Sequence, residues 1–204
     1  MSGPPEVRGV SWGVARVGEE GPAVAELDRL GPRATEARRA TFVAGRRAAH
    51  RALEACLGAA LRVDADALGK PVVSAPGVEL SITHAGGWAL AAAARAPLGV
   101  DLVEVEPLPD ALIEDALAPG ELDAWRARIA DEALARSLAF AGKEAALKWL
   151  GVGMAIPLRQ VRLTPGAQTG TLRHPHGRAE LPLRWFELRP ALWAVLLGGG
   201  TLGA

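Results

Sequence analysis

The sequence predicts an α+β protein of two related lobes, because a long helical segment followed by strands occurs twice along the chain. The first helical segment covers residues 33–57, the second covers residues 132–150, and strand patterns follow each of them. No sequence repeat is obvious between the halves, but their element content is similar. We therefore expect an N-terminal lobe of residues 1–97 and a C-terminal lobe of residues 98–204.

The N-terminal half opens with a predicted strand at residues 10–17 and a predicted helix at residues 23–30. The Ala- and Arg-rich segment 33–57 follows as a long helix with one apolar face, and Gly58 ends it. Arg46 lies on or beside that face. It is either a snorkelling side chain or an arginine directed at an anion near the core.

Strand patterns dominate the middle and the tail of the chain. We expect three strands at residues 78–83, 88–94 and 98–105, and their short connections favour an antiparallel meander. Two helices are then predicted at residues 119–130 and 132–150. The tail alternates again, and we expect strands at residues 160–164, 182–188 and 192–197.

The composition excludes several classes of protein. The chain of 204 residues is 50% hydrophobic, and its 23 basic side chains balance 23 acidic ones, which argues against a nucleic-acid partner. The single Cys56 excludes an intramolecular disulfide and a Cys-rich zinc site. The N-terminus lacks a signal-peptide pattern, and no apolar run reaches the roughly 18–20 residues of a membrane span. We expect a cytoplasmic protein without a membrane partner.

Charged side chains stand inside the apolar helical segment 140–151. Glu144 and Lys148 are four residues apart, so they share one helix face. Taken alone, the pair is typical of a surface salt bridge. Lys143 lies about 100° from Glu144 around the helix axis.

Asp101 is an isolated carboxylate in a predicted strand, where alternation gives it the apolar neighbours Gly99 and Val103. Such a position costs several kcal/mol unless the carboxylate is paired or binds a cation. Asp101 is therefore either salt-bridged to an arginine of the opposite lobe or a ligand of a hard metal. Mg²⁺ takes one or two protein carboxylates, with water and phosphate oxygens completing its shell. Glu144 is a suitable second ligand if the fold brings the two together.

Further groups suit a polyphosphate. Thr83 and His84 end a strand beside Gly86-Gly87 and could contact phosphate oxygens, although a lone turn histidine is more often solvated. Lys70 is a cation in a rigid turn or an ordinary exposed lysine. Phosphoryl transfer relies on positioning and charge neutralisation. The chain offers that inventory in Arg46, Lys70, His84, Lys143 and Lys148, with Asp101 and Glu144.

These residues stand in blocks whose order resembles that of a known family. The blocks are Gly45-Arg46 with His50-Arg51, Gly69-Lys70-Pro71, residues 80–86, Gly99-Val100-Asp101, and residues 140–153. The sequence is similar to the 4′-phosphopantetheinyl transferases of the longer, single-chain, surfactin-synthetase-activating type, which activate peptide and polyketide synthases. The resemblance spans about residues 45–157, and the tail agrees in strand pattern only.

The resemblance implies a pseudo-twofold α+β fold with coenzyme A in the cleft between the lobes and Mg²⁺ on its pyrophosphate. It implies that a serine hydroxyl of an acyl or peptidyl carrier protein attacks the β-phosphorus, that the phosphopantetheine arm is transferred, and that 3′,5′-ADP leaves. We expect a monomer, because two lobes in one chain already make the cleft.

The resemblance also implies roles for individual residues. Asp101 and Glu144 become metal ligands, Glu144 is also a candidate base, and Lys148 neutralises the pyrophosphate in the transition state. The remaining groups would bind coenzyme A: Thr83 and His84 at the nucleotide phosphates, Arg46 and Lys70 at the 3′-phosphate end, and Lys143.

One departure from the family pattern concerns the metal. Many relatives carry a third acidic ligand where this chain has Val103, and the adjacent Glu104 should point to the opposite face of the strand. Either water fills that position, which we favour, or Glu104 enters through a bulge. Two other classes stay open. One is a non-catalytic coenzyme A or nucleotide-binding module in which Val103 marks a lost metal site, and the other is a protein-interaction module.

Overall fold

The computed structural model describes residues 3–21, 24–153 and 155–199. In the N-terminal part, the elements are β1 Val10–Arg16, α1 Glu36–Leu57, β2 Val63–Ala65, β3 Pro71–Val73, β4 Glu79–Ala85 and β5 Trp88–Ala94. In the C-terminal part, they are β6 Leu98–Glu104, α2 Asp110–Ala116, α3 Glu121–Arg126, α4 Glu132–Leu150, β7 Arg162–Pro165, β8 Thr169–His174, β9 Gly177–Arg189 and β10 Leu192–Gly198. Short 3₁₀ helices cover Ala25–Arg29 and Leu158–Gln160.

The two parts repeat one arrangement. In the N-terminal lobe, which comprises β1–β5 and α1, the antiparallel sheet has the order β1-β5-β4, and α1 packs on β1 and β5. The C-terminal lobe comprises β6–β10 and α2–α4. Its sheet begins with the order β6-β10-β9, in which these strands correspond to β1, β5 and β4, and α4 packs on β6 and β10. The predicted α+β fold of two related lobes is confirmed. The boundary at residue 97 stays a prediction.

One glycine in the first strand of each sheet lets the long helix approach closely. A Cβ atom at Gly13 would lie 1.9 Å from the carbonyl oxygen of Ala48 in α1. A Cβ atom at Gly99 would lie 1.9 Å from the carbonyl oxygen of Ala145 in α4. Both contacts are far inside van der Waals distance, so these positions require glycine. The matching contacts make residue 48 the counterpart of residue 145.

Both long helices begin and end with residues that satisfy their terminal groups. The side chains of Thr35 and Asp131 each accept the backbone N–H three residues later, at 3.2 Å for α1 and 2.8 Å for α4. Gly58 and Gly151 end the helices in the left-handed conformation that glycine adopts without strain. The caps therefore determine the residues at which α1 and α4 begin and end.

The lobes meet where β4 runs beside β6, and side-chain hydroxyls make the join. Ser81 Oγ accepts the N–H of Val100 at 3.0 Å, and Thr83 Oγ1 accepts the N–H of Leu102 at 3.1 Å. These buried N–H groups lie on the edge strand of the C-terminal sheet, and an unpaired buried N–H is costly. Two hydroxyls of β4 therefore fix the lobes in register on either side of Asp101.

The predicted meander is wrong in its last step. Its first two strands form the hairpin β4–β5, but β5 takes β1 as its other neighbour, and β6 pairs with β10 in the second sheet. The chain passes from one lobe to the other between β5 and β6. The length of that turn does not reveal the crossing.

Other differences are local. The helix predicted at residues 23–30 is only the 3₁₀ helix Ala25–Arg29, and residue 23 lies outside the described residues. The helix predicted at residues 119–130 is the shorter α3, and the strand predicted at residues 182–188 begins earlier, as β9. The short elements β2, β3, β8 and α2 have too few residues to show a clear periodicity.

Over residues 3–21, 24–153 and 155–199, no helix combines the length and the apolar character that a membrane span needs.

Candidate active site between the lobes

Two adjoining cavities together form what we call the cleft. The first lies between the lobes, and the lining residues of the second all belong to the N-terminal lobe. The first measures about 360 Å³, and its lining includes Arg46, Lys70, Ile82, Glu144 and Lys148. The second measures about 480 Å³, and its lining includes Arg38, Phe42, Arg46, Ile82 and His84. Because Arg46 and Ile82 line both cavities, an elongated ligand could pass from one to the other.

Asp101 is held from both lobes. Its Oδ1 atom accepts a hydrogen bond from Thr83 Oγ1 at 2.8 Å and one from Lys148 Nζ at 2.7 Å. The partner of the carboxylate is thus a lysine of its own lobe and a threonine of the other lobe, rather than an arginine. Among the described residues, none donates to Oδ2 of Asp101. One carboxylate oxygen therefore remains for a ligand.

Glu144 lines the first cavity, half-buried, without a hydrogen bond or ion pair to any residue that the structure describes. Burial raises the pKa of Glu144, the charge of Asp101 raises it further, and Lys148 lowers it. The fold thus brings Asp101 and Glu144 close enough for their charges to interact. The simple surface salt bridge between Glu144 and Lys148 is not formed, because Lys148 bonds to Asp101 instead.

The two carboxylates fit a hard divalent cation. Asp101 has one oxygen without a protein partner, Glu144 has two, and carboxylate oxygens are the ligands that Mg²⁺ takes. Within the part of the chain that the structure describes, no group of three or more His, Cys, Asp and Glu side chains could hold a metal. The protein thus offers two carboxylates and leaves the other coordination positions to water and ligand oxygens.

Val103 packs against the hydrophobic core under α4. Strand β6 pairs with β10 in unbroken register from Leu98 to Glu104, so no bulge turns Glu104 toward Asp101. Glu104 is exposed, and its carboxylate lies instead near Gly86 in the β4–β5 turn. The structure therefore gives Glu104 no bulge by which to reach the third position, and water there stays a prediction.

Two lysines lie in the first cavity. Lys148 Nζ donates to Asp101 and to the carbonyl oxygen of Val100 at 3.0 Å, which leaves one of its three protons for a ligand. Lys70 Nζ lies 2.6 Å from Glu79 Oε2, and its stem passes close to Gly151 at the end of α4. Lys70 therefore connects the β2–β3 hairpin of one lobe to the helix of the other.

Arg46 lies between the two cavities. Its guanidinium stacks over the ring of Phe42 with 4.6 Å between the guanidinium carbon and the ring centroid. Its Nε is buried, and the side chain has no hydrogen bond or ion pair to any described residue. Exposed His84 lines the second cavity with it. An unpaired, half-buried guanidinium is a suitable anion-binding group.

Thr83 stands between Ile82 and His84, which line the cavities, but its own hydroxyl bonds within the protein. The side chain is 5% exposed, donates its one proton to Asp101 and accepts the N–H of Leu102. The structure thus places this hydroxyl on the carboxylate rather than on the surface of the cavities.

Lys143 lies outside the cleft, in the interior of the C-terminal lobe. The side chain is fully buried, Nζ lies 2.6 Å from Glu121 Oε2, and Nζ also donates to the carbonyl oxygen of Val161. Burial lowers the pKa of Lys143, whereas Glu121 raises it. Because successive helix residues differ by about 100°, Lys143 enters the core while Glu144 faces the cleft.

Two residues that matter here carry weak sequence signals. Ser81 shares a strand face with Thr83, so the pattern Ser-Ile-Thr could have indicated a pair of hydroxyls on one edge. Glu121 is fully buried and accepts the N–H of Leu163 at 2.8 Å as well as the proton of Lys143. Its position after Pro119-Gly120 indicates only the start of a helix.

Comparison with known proteins identifies the family. A model of the 4′-phosphopantetheinyl transferase superfamily matches residues 97–188, and a model of the 4′-phosphopantetheinyl transferase N-terminal domain matches residues 26–94. The 4′-phosphopantetheinyl transferase psf-1 of Bacillus pumilus is 31% identical over 127 residues, which are 60% of this chain and 54% of that protein. The chain thus spans about half the length of the curated relative that it matches.

A solved structure also matches part of the chain. The crystal structure of holo-acyl-carrier-protein synthase from Neisseria meningitidis is 18% identical, with a TM-score of 0.39, and the match covers 50% of this chain and 95% of that one. The two family models, by contrast, match consecutive segments of the chain, both belong to the 4′-phosphopantetheinyl transferases, and together they cover most of its residues. The chain therefore belongs to the 4′-phosphopantetheinyl transferase superfamily.

Proposed function

We propose that the protein transfers the 4′-phosphopantetheine arm of coenzyme A to a serine hydroxyl of an acyl or peptidyl carrier protein and releases 3′,5′-ADP. The observation that carries the proposal is the unpaired carboxylate of Glu144 beside the Asp101–Lys148 ion pair, in a cavity that the unpaired Arg46 also lines. A cation site and an anion site in one cavity suit a metal-bound pyrophosphate. Membership of the family supports this choice.

Asp101 and Glu144 would hold Mg²⁺, which, when bound, neutralises charge on the pyrophosphate and so favours attack at phosphorus. The fit rests on the unengaged oxygens of the two carboxylates and on their half-buried setting. A cation would also relieve the repulsion between them, which now raises the pKa of Glu144.

The chain's own groups account for the movement of charge. The serine oxygen attacks the β-phosphorus, the bond from that phosphorus to the bridging oxygen of the adenosine half breaks, and 3′,5′-ADP leaves with that oxygen. Glu144 is the candidate acceptor of the serine proton, directly or through a water, because it lines the first cavity and no described residue bonds to its carboxylate. Lys148 has a proton left to donate to a phosphoryl oxygen as negative charge shifts toward the leaving group.

The nucleotide end of coenzyme A would occupy the second cavity. Arg46 lines both cavities and makes no ion pair or hydrogen bond with any described residue, so it suits a phosphate of the adenosine half. His84 lines the second cavity, and Lys70 lines the first from the β2–β3 hairpin. Thr83 and Lys143 have no direct contact with coenzyme A in this proposal.

The partner is a carrier protein, and the enzyme would act as a monomer. Both walls of the first cavity come from one chain, since α1, β4 and the β2–β3 hairpin face α4 across it. No second subunit is needed to complete the set of charged groups.

Intact-mass measurement of an apo carrier protein tests the proposal. The carrier is incubated with the protein, coenzyme A and Mg²⁺, and we expect its mass to rise by one phosphopantetheine group. The variants Asp101→Asn and Glu144→Gln should give no mass gain while keeping the fold. If the wild-type protein modifies none of several carriers but still binds coenzyme A, it is a non-catalytic binding module.

A further inference from the structure

We infer that Thr83 is a positioning residue that orients Asp101 from across the lobe boundary, an inference that rests on the proposed function. Thr83 belongs to β4 of the N-terminal lobe, and Asp101 belongs to β6 of the C-terminal lobe. Their 2.8 Å hydrogen bond is thus made between the lobes rather than within one of them.

The backbone of β6 determines the direction of the Thr83 proton. Leu102 donates its N–H to Thr83 Oγ1 at 3.1 Å, which takes up a lone pair of the hydroxyl oxygen. The proton then points at the carboxylate of the preceding residue, Asp101. Because the side chain is only 5% exposed, water has little access to either bond.

The carboxylate of Asp101 is held by two donors on one oxygen. Thr83 and Lys148 both donate to Oδ1, and no described residue donates to Oδ2. Two bonds from different directions restrict rotation about the side-chain torsions, so Oδ2 keeps one orientation. Without Thr83, the carboxylate would keep Lys148 alone and would lose its connection to the N-terminal lobe. Groups that orient metal ligands in this way commonly change metal affinity when they are removed.

Ser81 provides a matched control for a purely structural role. It lies two residues before Thr83 on the same strand, is 3% exposed, and accepts the N–H of Val100 at 3.0 Å. It makes the same kind of bond between the lobes but has no bond to Asp101. A difference in metal binding between variants of Ser81 and Thr83 therefore reports on the hydrogen bond to Asp101 and not on the contact between the lobes.

The test measures Mn²⁺ binding in the presence of coenzyme A, from the electron paramagnetic resonance signal of free Mn²⁺. Thr83→Val keeps the shape of the side chain and removes the hydroxyl, and we expect it to weaken Mn²⁺ binding about tenfold. Thr83→Ser keeps the hydroxyl and should bind within about twofold of wild type. Ser81→Ala should bind like wild type, although both Thr83→Val and Ser81→Ala lower the melting temperature.

Transfer kinetics separate positioning from direct contact with a phosphate. For Thr83→Val, the metal concentration that gives half-maximal turnover should rise, while the KM for coenzyme A stays near that of wild type. A raised KM with unchanged Mn²⁺ binding would overturn the inference and assign Thr83 to a phosphate. Equal Mn²⁺ binding by Thr83→Val and Ser81→Ala would also overturn it.

A second variant, Thr83→Cys, tests the inference if Thr83→Val does not fold. Thr83→Cys keeps the volume of the side chain but offers a weak donor, and it should shift Mn²⁺ binding in the same direction. Wild-type Mn²⁺ binding by folded Thr83→Cys would count against the inference. The Mn²⁺-binding measurement tests the role of Thr83 even if the wild-type protein transfers nothing. In that case the proposed function fails, and Mn²⁺ binding alone decides whether Thr83 positions Asp101.

Discussion

Lys148 donates from Nζ to Asp101 Oδ1 at 2.7 Å and to the carbonyl oxygen of Val100 at 3.0 Å, so the last turn of α4 is bonded to the middle of β6. This pairing leaves Glu144 without a cation among the described residues, beside a carboxylate that repels it. The three side chains together carry one net negative charge when all are ionised. A divalent cation on Asp101 and Glu144 would change this net charge from one negative to one positive, which suits an anionic ligand.

Glu144→Gln should abolish transfer and stabilise the free protein at neutral pH. Folding raises the pKa of Glu144 above its ordinary value of 4.5. Ionisation of Glu144 is therefore less favourable in the folded state than in the unfolded state, and the folded state loses stability as the pH rises. A glutamine has no such cost. We expect the free energy of unfolding at pH 7 to rise, measured by urea denaturation without metal.

The same experiment at acid pH is the control. Below pH 4.5 both the folded and the unfolded wild type are protonated at Glu144, and the gain should disappear. A gain of equal size at pH 4 and pH 7 would show that the stabilisation does not come from the ionisation of Glu144.

Lys148→Ala should reduce kcat more than it changes the KM for coenzyme A. The loss of its charge removes a donor that acts as negative charge moves to the leaving group, and such losses cost roughly 100-fold or more in kcat. Lys70→Ala is the comparison, because Lys70 lies at the edge of the cleft and is bonded to Glu79. It should raise KM more than it lowers kcat. If Lys148→Ala lowers kcat and the affinity for coenzyme A equally, Lys148 serves binding alone.

Lys143→Ala should reduce stability rather than coenzyme A binding. Removing the lysine leaves Glu121 charged and fully buried, and breaking a buried pair in this way costs about 3–5 kcal/mol. Lys143→Met combined with Glu121→Gln should recover part of the loss, because Gln still accepts the N–H of Leu163. The KM for coenzyme A of the folded fraction should stay at the wild-type value. A raised KM with unchanged stability would show that Lys143 contributes to coenzyme A binding.

Gly99→Ala should unfold the C-terminal lobe or lower its melting temperature strongly. Its new Cβ would stand 1.9 Å from the carbonyl oxygen of Ala145, so β6 and α4 would have to separate. Gly31→Ala is the control, because a Cβ there meets no atom within 4 Å and the backbone needs no left-handed conformation. Similar melting temperatures for the two variants would mean that the close approach of strand and helix is not required.

The fold class and the long elements were accessible from the sequence because they depend on local periodicity. Helices α1 and α4 have apolar faces many residues long and clear caps, and β4, β5 and β6 are strands of seven residues each, separated by short turns. Sheet membership was not accessible in the same way. Whether β6 joins β5 or β10 depends on contacts between distant parts of the chain, which turn length does not encode.

A repeat between the lobes is present but weak. Once residue 48 is matched to residue 145, Ala-Gly-Arg-Arg-Ala-Ala-His-Arg-Ala-Leu at 44–53 aligns with Ala-Gly-Lys-Glu-Ala-Ala-Leu-Lys-Trp-Leu at 141–150, with five identical positions of ten. The identical residues are small or apolar and common throughout this Ala-rich chain. The alignment therefore becomes convincing only when the glycine contacts of both lobes are known.

The candidate site was predictable in composition but not in geometry. The residue types pointed to a metal and phosphates, and Glu144 and Asp101 do come together. The direction of a hydroxyl or an ammonium group depends on its neighbours. Thr83 donates to Asp101, and Lys143 meets Glu121, because those partners arrive from elsewhere in the chain.

The most direct test of the account is the ³¹P magnetic resonance of coenzyme A bound to the protein with Mn²⁺. Asp101 and Glu144 are proposed to hold one cation at the pyrophosphate. Paramagnetic broadening should therefore be strongest for the pyrophosphate signals, weaker for the 3′-phosphate, and greatly reduced in Asp101→Asn and Glu144→Gln at the same occupancy of coenzyme A. Equal broadening in the wild type and in both variants would place the cation elsewhere and would contradict the assignment.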